Sequence, residues 1–269
     1  MYPIVVEPEF LHLLDDPSLL IVDIRPRSSY EKGHIEGSFC VPPSLLVSGE
    51  RPATGKLPSS EHLEKVLSEI GYDPERYVVA YDDEGGGWAG RFVWTLHVIG
   101  HKNTSIVNGG LVSWYNDGLP LTRQEPYSKP VSVNLTIDPS ARVTRDELLN
   151  VLQQPPSVRE KTVIWDARSA DEFHGRRLTA LKAGHIPGAV NLDWQDLMDR
   201  NRGLRLREDL ETLLHSKGIM AGKQIVTHCQ SHHRSGLTYV AGRHLGLDIR
   251  AYDGSWSEWG NDAHTPVET

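Results

Sequence analysis

An apolar strand pattern runs directly into a cysteine in the stretch QIVTHCQSHHRS, residues 224–235. The residues that follow, GLTYVAGRHL at 236–245, have a helical pattern. Cys229 is therefore expected in a tight loop between the end of a strand and the first turn of a helix. Loop N–H groups and the positive end of the helix dipole lower the pKa of a thiol from its free value of about 8.5. This placement predicts a reactive thiolate, although a lone cysteine is more often buried and inert.

Length and composition narrow the class of protein. The chain has 269 residues, which suits one large domain or two ordinary ones. Apolar runs fall short of the ~18 residues that a membrane span needs, and the first residues lack a signal-peptide pattern. A formal net charge of −8 argues against nucleic-acid and anionic-membrane partners. With Cys40 as the other cysteine, no disulfide framework is expected, which favours the cytoplasm.

The chain repeats one order of motifs in two halves. Each half has a strand ending in Asp-x-Arg, a glycine-histidine turn, a second strand with a helix, and a glycine-tryptophan signature. The matching positions are Asp23, Arg25 and His34 in the first half and Asp166, Arg168 and His185 in the second. We interpret the Asp–Arg pairs as buried ion pairs and the histidines as structural residues of the turns.

Short apolar strands alternate with helical patterns, such as the stretch to Ile70 that Ser60 can cap. This alternation predicts an α/β fold in which each half has a mainly parallel sheet with helices on both faces. Prolines between the halves mark an extended linker. The predicted domains are residues 1–121 and 141–269, joined by a linker at 122–140. Ligands of such sheets bind at the carboxyl ends of strands, where Cys229 is expected.

Alignment of the halves assigns the chemistry to the second one. Asp82 stands where the second half has Cys229, and an acidic, glycine-rich run replaces the loop QSHHR at 230–234. The first loop lacks a thiol and a base, so it is not expected to stabilise an anion in the same way. The first domain is therefore predicted to be inactive and to pack against the second. Cys40 has apolar neighbours and is predicted to be packed.

Sulfur transfer is the chemistry that the cysteine loop favours. A thiolate takes the outer sulfur of an anionic donor, holds it as a persulfide that the loop N–H groups stabilise, and passes it to a nucleophile. Cys229 is the predicted catalytic residue, and Arg234, with His232 or His233, would supply the cation that meets the donor. The predicted substrate-binding residues are Arg234, His232, His233, Gln230 and Ser231.

Three other interpretations stay open at this point. A cysteine phosphatase needs a C-x5-R loop, and the C-x4-R spacing from Cys229 to Arg234 is one residue too short for a phosphate-sized ring. His228, Cys229, His232 and His233 could in principle bind zinc, but ligands so close together ahead of a helix rarely converge on one ion. A sulfur-carrier module would hold the same persulfide without multiple turnover.

These motifs together resemble the rhodanese family of sulfurtransferases in its tandem-domain form, over essentially the whole chain. The resemblance rests on YEKGHIEGS at 30–38, YDGSWSEW at 252–259 and CQSHHR at 229–234, although Glu36 stands where proline is usual. It implies two rhodanese-like domains, a persulfide on Cys229, donor contact by Arg234 and no cofactor or metal. It also implies a monomer with thiosulfate sulfurtransferase activity, in which thiosulfate is the donor and cyanide or a thiol, including thiol proteins, is the acceptor.

Two departures from the family pattern bear on the substrate. The mercaptopyruvate branch has a Gly-Ser-Gly-Val-Thr type of loop, which this chain lacks, so 3-mercaptopyruvate is the alternative donor. Mammalian-type members have a substrate arginine four residues beyond the Asp-x-Arg arginine, and Glu172 occupies that position here. Candidate replacements are Arg176, Arg177 and Lys182, and Trp194 belongs either to the pocket edge or to the core.

Overall fold

The computed structural model describes residues 2–14, 16 and 18–269. In the first half the strands are β1 (Val5–Val6), β2 (Leu19–Asp23), β3 (Phe39–Cys40), β4 (Tyr77–Tyr81) and β5 (Thr104–Val107), and the helices are α1 (Pro8–Leu13), α2 (Arg27–Tyr30), α3 (Ser60–Glu69), α4 (Gly87–Val98) and α5 (Gly110–Asn116). A 3-10 turn at Pro43–Leu46 follows β3.

In the second half the strands are β6 (Arg142–Val143), β7 (Thr162–Asp166), β8 (Val190–Asn191), β9 (Met198–Asp199), β10 (Arg205–Leu206), β11 (Gln224–His228) and β12 (Asp248–Tyr252). Its helices are α6 (Arg145–Gln153), α7 (Pro156–Arg159), α8 (Ala170–Phe173), α9 (Leu210–Ser216), α10 (Arg234–His244) and α11 (Ser255–Trp259). Further 3-10 turns lie at Pro139–Ala141, Trp194–Leu197 and Arg200–Arg202.

The two sheets have the same strand order. One runs β1-β5-β4-β2-β3 and the other β6-β12-β11-β7-β8, and every neighbouring pair is parallel. The equivalent strands β4 and β11 are central, with Tyr81 opposite Asp23 and His228 opposite Asp166. The predicted α/β class and the internal repeat are confirmed. The domain boundaries at residues 121 and 141 stay a prediction.

Helices cover both faces of each sheet because the strand residues alternate between two cores. Along β4, Val78 and Ala80 pack in a cluster with residues of α3 and α4, whereas Val79 and Tyr81 pack on the other side with residues of α1 and α5. In the second half, Ile225 joins the cluster that contains α9 and α10, and its neighbour on β11 joins the cluster of α6 and α11. The period of two along a strand explains this division.

The halves meet through the equivalent helices α4 and α10, and their inner faces form one continuous hydrophobic core. The two helices approach to backbone contact. A Cβ built on Gly90 would lie 2.4 Å from Gly236 O, and one built on Gly236 would lie 2.3 Å from Gly87 O. Glycine is required at this crossing because any side chain would meet the backbone of the other half.

A segment of each half also packs against the loop that follows the central strand of the other half. Gly55 packs so closely on the second half that an added Cβ would lie 1.9 Å from Ser231 O. The antiparallel β9–β10 hairpin of the second half covers the first-half loop. A Cβ on Gly85 would lie 2.2 Å from Met198 Sδ and 3.2 Å from Leu204 Cβ. The surroundings of the cysteine loop are therefore formed by both halves.

The repeated sequence motifs form repeated structure. Arg25 and Arg168 each bind their buried aspartate at 2.6 Å and donate to a carbonyl of the glycine-histidine turn at 2.8 Å. His34 and His185 stack on aromatic rings with centroid distances of 3.7 Å. Both motifs have the structural role predicted for them. Across the described residues, no helix has the length and apolar character to cross a membrane.

Candidate active site

Cys229 lies at the carboxyl end of β11, one loop ahead of α10. The residue is fully buried, and Trp256 N–H donates to its carbonyl at 3.0 Å. Burial raises the pKa of the thiol, but the charge of Arg234, hydrogen bonds from Ser235 and the charge of His233 outweigh it and lower the pKa to about 7. A substantial fraction of Cys229 is therefore thiolate at neutral pH.

His232 is buried beneath the cysteine loop, where it contacts Ser235, and it is neutral. Its φ is 56°, a left-handed value that is uncommon outside glycine, and its Nδ1 lies 2.7 Å from Ser235 Oγ. Ser235 in turn acts on Cys229, because its hydrogen bonds lower the pKa of the thiol. Burial and the charge of Arg91 keep the pKa of His232 well below its ordinary value. The expectation that His232 could supply a cation is therefore corrected.

Arg234 provides the principal positive charge beside Cys229. It is the first residue of α10, and its charge leads the effects that lower the pKa of the thiol. Its two terminal nitrogens donate to the Glu172 carboxylate at 2.7 and 2.9 Å, a bidentate pair. Glu172 is fixed in turn by Ser169, whose hydroxyl donates to it at 2.9 Å in a capping box at the start of α8.

His233 lies between aromatic rings from both halves. It stacks on Trp88 with a centroid distance of 4.4 Å, and the ring of Trp194 lies at 5.7 Å. Its Nε2 contacts the carboxylate of Glu84. Trp88 and Glu84 belong to the first-half loop and helix, so the first half forms part of the wall of the site. The side chain of His233 is partly exposed and marks the open side of the loop.

The other predicted binding residues, Gln230 and Ser231, make contacts within the protein. The Gln230 amide is engaged with Thr179, donating to its carbonyl at 3.0 Å and accepting from its hydroxyl at 2.8 Å. Ser231 presents its carbonyl to Gly55. Three basic residues were considered as replacements for the substrate arginine whose position Glu172 occupies. Of these, Arg176 is paired with Asp171, and Lys182 donates to Thr265. Arg177 is exposed.

The first-half loop folds around its own carboxylate. Asp82 is buried and accepts the N–H groups of Glu84, Gly86 and Ala89 at 3.1, 2.9 and 2.9 Å. Burial and the neighbouring Glu84 raise the pKa of Asp82 to about 6, against the lowering effect of these bonds. The N–H groups of this loop are thus occupied by an internal carboxylate, and the expectation that the loop does not stabilise a bound anion as the second loop does stays a prediction.

The remaining candidates lie apart from this centre. Burial, together with Asp23, raises the pKa of Cys40 to about 11, which suits an unreactive thiol. The four side chains weighed as zinc ligands diverge, since His228 Nε2 lies 3.7 Å from Asp166 while His232 and His233 have the separate partners described above. Within residues 2–14, 16 and 18–269, no three His, Cys, Asp or Glu side chains are grouped as a metal ion requires.

Three contributors to the site escaped the sequence analysis. Glu172 was noted only as a departure from a family pattern, although the spacing Ser169-x-x-Glu172 is itself a capping-box signature that fixes its carboxylate at a helix start. Glu84 and Trp88 reach the site only because α4 and α10 cross at glycines. That contact between halves has no local sequence signal.

Comparison with known proteins identifies close relatives. A family model described as a rhodanese-like domain matches residues 7–117 and 144–262. The thiosulfate sulfurtransferase of Azotobacter vinelandii is 46% identical over 270 residues, covering 99% of this chain and 97% of the relative. The protein of the same name in Pseudomonas aeruginosa is 44% identical with the same coverage.

More distant relatives have related names. The sulfur carrier protein TtuD of Thermus thermophilus is 31% identical, covering 94% of this chain and 92% of its own. The 3-mercaptopyruvate sulfurtransferase of Escherichia coli is 29% identical, covering 95% and 94%. Among solved structures, the anaerobic ergothioneine biosynthesis enzyme of Chlorobium limicola superposes with a TM-score of 0.85 at 23% identity, covering 99% of this chain and 70% of that one. The last likeness concerns the fold alone.

Proposed function

The chain belongs to the rhodanese family in its tandem-domain form, and from that premise we infer that it is a thiosulfate sulfurtransferase acting through Cys229. The observation that carries the inference is a buried cysteine whose pKa is lowered to about 7 beside Arg234 at the start of a helix. The close relatives share the name of this activity over nearly the whole chain.

We propose a cycle of two displacements on the same sulfur. The Cys229 thiolate attacks the sulfane sulfur of thiosulfate, a new S–S bond forms, and sulfite leaves with the electron pair of the broken S–S bond. Cyanide or a thiolate then attacks the outer sulfur, and the Cys229 thiolate departs. This is covalent catalysis of the ping-pong kind, and neither step requires a cofactor.

The neighbouring residues support each state of the cycle. Arg234 and His233 offer positive charge and hydrogen-bond donors to the sulfonate of the donor. Ser235 donates to the sulfur, and the backbone of Gln230 and Ser231 completes the loop around the persulfide. His232 acts by holding Ser235. We further propose a monomer in a reducing compartment, the cytoplasm, since both cysteines are free thiols, with thiol proteins among the acceptors.

The proposal is tested by intact mass and by turnover. Treatment with thiosulfate should add one sulfur atom to the chain, and cyanide should remove it and yield thiocyanate. Cys229→Ala should abolish both results, whereas Cys40→Ala, the matched thiol in the other half, should retain them. Turnover in the Cys229 variant would contradict the mechanism.

Two alternative outcomes have their own signatures. Faster turnover with 3-mercaptopyruvate than with thiosulfate would make 3-mercaptopyruvate the preferred donor, as the name of the more distant Escherichia coli relative states for that protein. Stoichiometric sulfur loading without multiple turnover would favour a sulfur carrier, as the Thermus relative is named. A phosphate adduct on Cys229 would contradict sulfur transfer altogether.

A further inference from the structure

The guanidinium of Arg234 has a fixed partner beside the reactive sulfur. Both of its terminal nitrogens donate to Glu172, and the carboxylate side chain is 5% exposed. Ser169 donates to Glu172 Oε2 from its hydroxyl at 2.9 Å and from its backbone N–H at 3.2 Å. The hydrogen bond and charge of Arg234 and the bonds from Ser169 outweigh burial and lower the pKa of Glu172 to about 2. The carboxylate is therefore ionised throughout the neutral range.

The positive charge beside Cys229 is partly offset by acidic groups. Glu172 pairs with Arg234, although Arg234 still lowers the pKa of the thiol, and Asp193, whose pKa responds to both of them, adds a further acidic group. His233 contributes on the opposite wall but is held by Glu84. A donor such as thiosulfate carries two negative charges and must approach a thiolate here. The attraction from Arg234 is thus weakened where it is needed for binding.

We propose that Glu172 is a positioning residue that clamps the guanidinium of Arg234 and restrains its positive charge, so that the site binds a divalent sulfur oxyanion loosely enough to release it. The inference rests on the proposed sulfur transfer and extends it to the balance between donor binding and sulfite release. An Arg234 without a carboxylate partner would bind thiosulfate more tightly, but it would also bind the departing sulfite more tightly. Tighter binding of the donor that is not increased further in the transition state lowers KM without raising kcat, and slower release of sulfite cannot raise kcat either.

The test is Glu172→Gln, which removes the charge and keeps the length of the side chain. Glutamine can also complete a capping box, so the start of α8 should persist. The matched control is Glu147→Gln. Glu147 closes an equivalent capping box with Thr144 at the start of α6 and also contacts an arginine, Arg250, but it belongs to another part of the second half.

The first measurement needs no sulfur transfer. Cys229 is alkylated with neutral iodoacetamide and with anionic iodoacetate at one pH, and peptide mapping assigns the label to Cys229. The iodoacetate-to-iodoacetamide rate ratio should rise about three- to tenfold in Glu172→Gln, because an anionic reagent gains from the added positive potential. It should stay unchanged in Glu147→Gln. An unchanged or lower ratio in Glu172→Gln would overturn the proposal.

The second measurement uses the catalytic cycle. The KM for thiosulfate and the inhibition constant for sulfite should both fall by a similar factor in Glu172→Gln, with kcat equal or lower. A rise in KM would show that Glu172 builds the site rather than restrains it, and would overturn the proposal. Glu172→Met gives a second uncharged side chain if the glutamine variant does not fold. If the unmodified protein transfers no sulfur from thiosulfate, the proposed function fails while the alkylation ratio still decides the role of Glu172.

Discussion

The reactivity of Cys229 depends on a chain of three side chains. His232 Nδ1 is hydrogen-bonded to Ser235 Oγ, and hydrogen bonds from the side chain and the backbone of Ser235 lower the pKa of the sulfur. Burial alone would raise the pKa of the thiol, so the value of about 7 depends on these donors and on Arg234. Because the folded pKa is below the ordinary value, the thiolate stabilises the native state at alkaline pH, and this contribution is lost as pH falls through about 7.

We expect Ser235→Ala to raise the pKa of Cys229. The variant loses a hydrogen bond to a charged group and leaves His232 Nδ1 without its partner, so the midpoint of thiolate formation should move up by about one pH unit. Ultraviolet absorbance of the thiolate, followed against pH in a Cys40→Ala background, measures the midpoint. Ser231→Ala, in the same loop, is the control. Equal midpoints in the two variants would exclude a role for the Ser235 hydroxyl.

At this scale the sequence predicted the reactive cysteine and the adjacent arginine, because both belong to one strand–loop–helix stretch. It did not predict that His232 is neutral or that Arg234 is paired. Glu172 and Arg234 are separated by 62 residues, and their contact depends on where α8 begins relative to α10. Burial in the complete fold, rather than residue type, determines whether a histidine is charged.

At the scale of elements, the crossing of α4 and α10 determines how the halves meet. The α4 backbone can approach α10 closely only because glycines occupy the contact on both helices. The same approach brings Glu84 and Trp88 to His233. The geometry of a helix crossing therefore controls part of the wall of the active site.

We predict that Gly236→Ala destabilises the protein and disturbs the site together. Its Cβ would lie 2.3 Å from Gly87 O and 2.4 Å from Arg91 N, so helix backbone must shift, with an expected loss of about 1–3 kcal/mol in the free energy of unfolding. Denaturant unfolding and the rate of Cys229 alkylation measure the two effects. The control is Gly33→Ala, whose Cβ makes ordinary contacts at 3.6 and 3.7 Å with Leu121. A Gly236 variant as stable as the control would contradict the close crossing.

Helices and strands were predictable where local signals exist. The alternation of short apolar strands with helices predicted the parallel sheets, although α3 is capped by Ser59, which accepts from His62 N–H at 3.3 Å, and not by the predicted Ser60. Two adjacent serines offer the same cap, and the sequence pattern alone does not distinguish them. The β9–β10 hairpin was not predicted, since each strand has only two residues and the two strands pair only with each other.

At the scale of the whole molecule, the two equivalent loops differ, because one contains Cys229 and the other is closed around Asp82. The first loop has its N–H groups occupied by Asp82 and its outer surface covered by Met198 and Leu204. Its glycine-rich run also lacks an equivalent of Arg234. The comparison of the halves could be made from the sequence, but the covering hairpin and the internal carboxylate ligand required the structure.

We predict that Asp82→Cys does not create a second sulfur site. In a Cys229→Ala background, the new cysteine would have loop N–H groups but no neighbouring guanidinium, and the hairpin would block a donor. Intact mass after thiosulfate treatment should show no added sulfur, whereas the same treatment of Asp82→Cys alone should add one atom, at Cys229. A persulfide on the residue at position 82 would show that the loop backbone is sufficient for the chemistry.

The Asp82 carboxylate has a thermodynamic consequence. It is a ligand tethered to its own binding loop, so its effective concentration is fixed by the chain and cannot be diluted away. The first loop therefore keeps its carboxylate ligand without drawing on solutes, as long as Asp82 stays ionised above a pKa of about 6. The Cys229 loop, by contrast, would take its oxyanion from solution under the proposed function, and such a ligand stabilises the native state by RT ln(1 + [L]/Kd). We therefore expect dissolved oxyanions to stabilise the native state through one half of a molecule whose two halves share a fold.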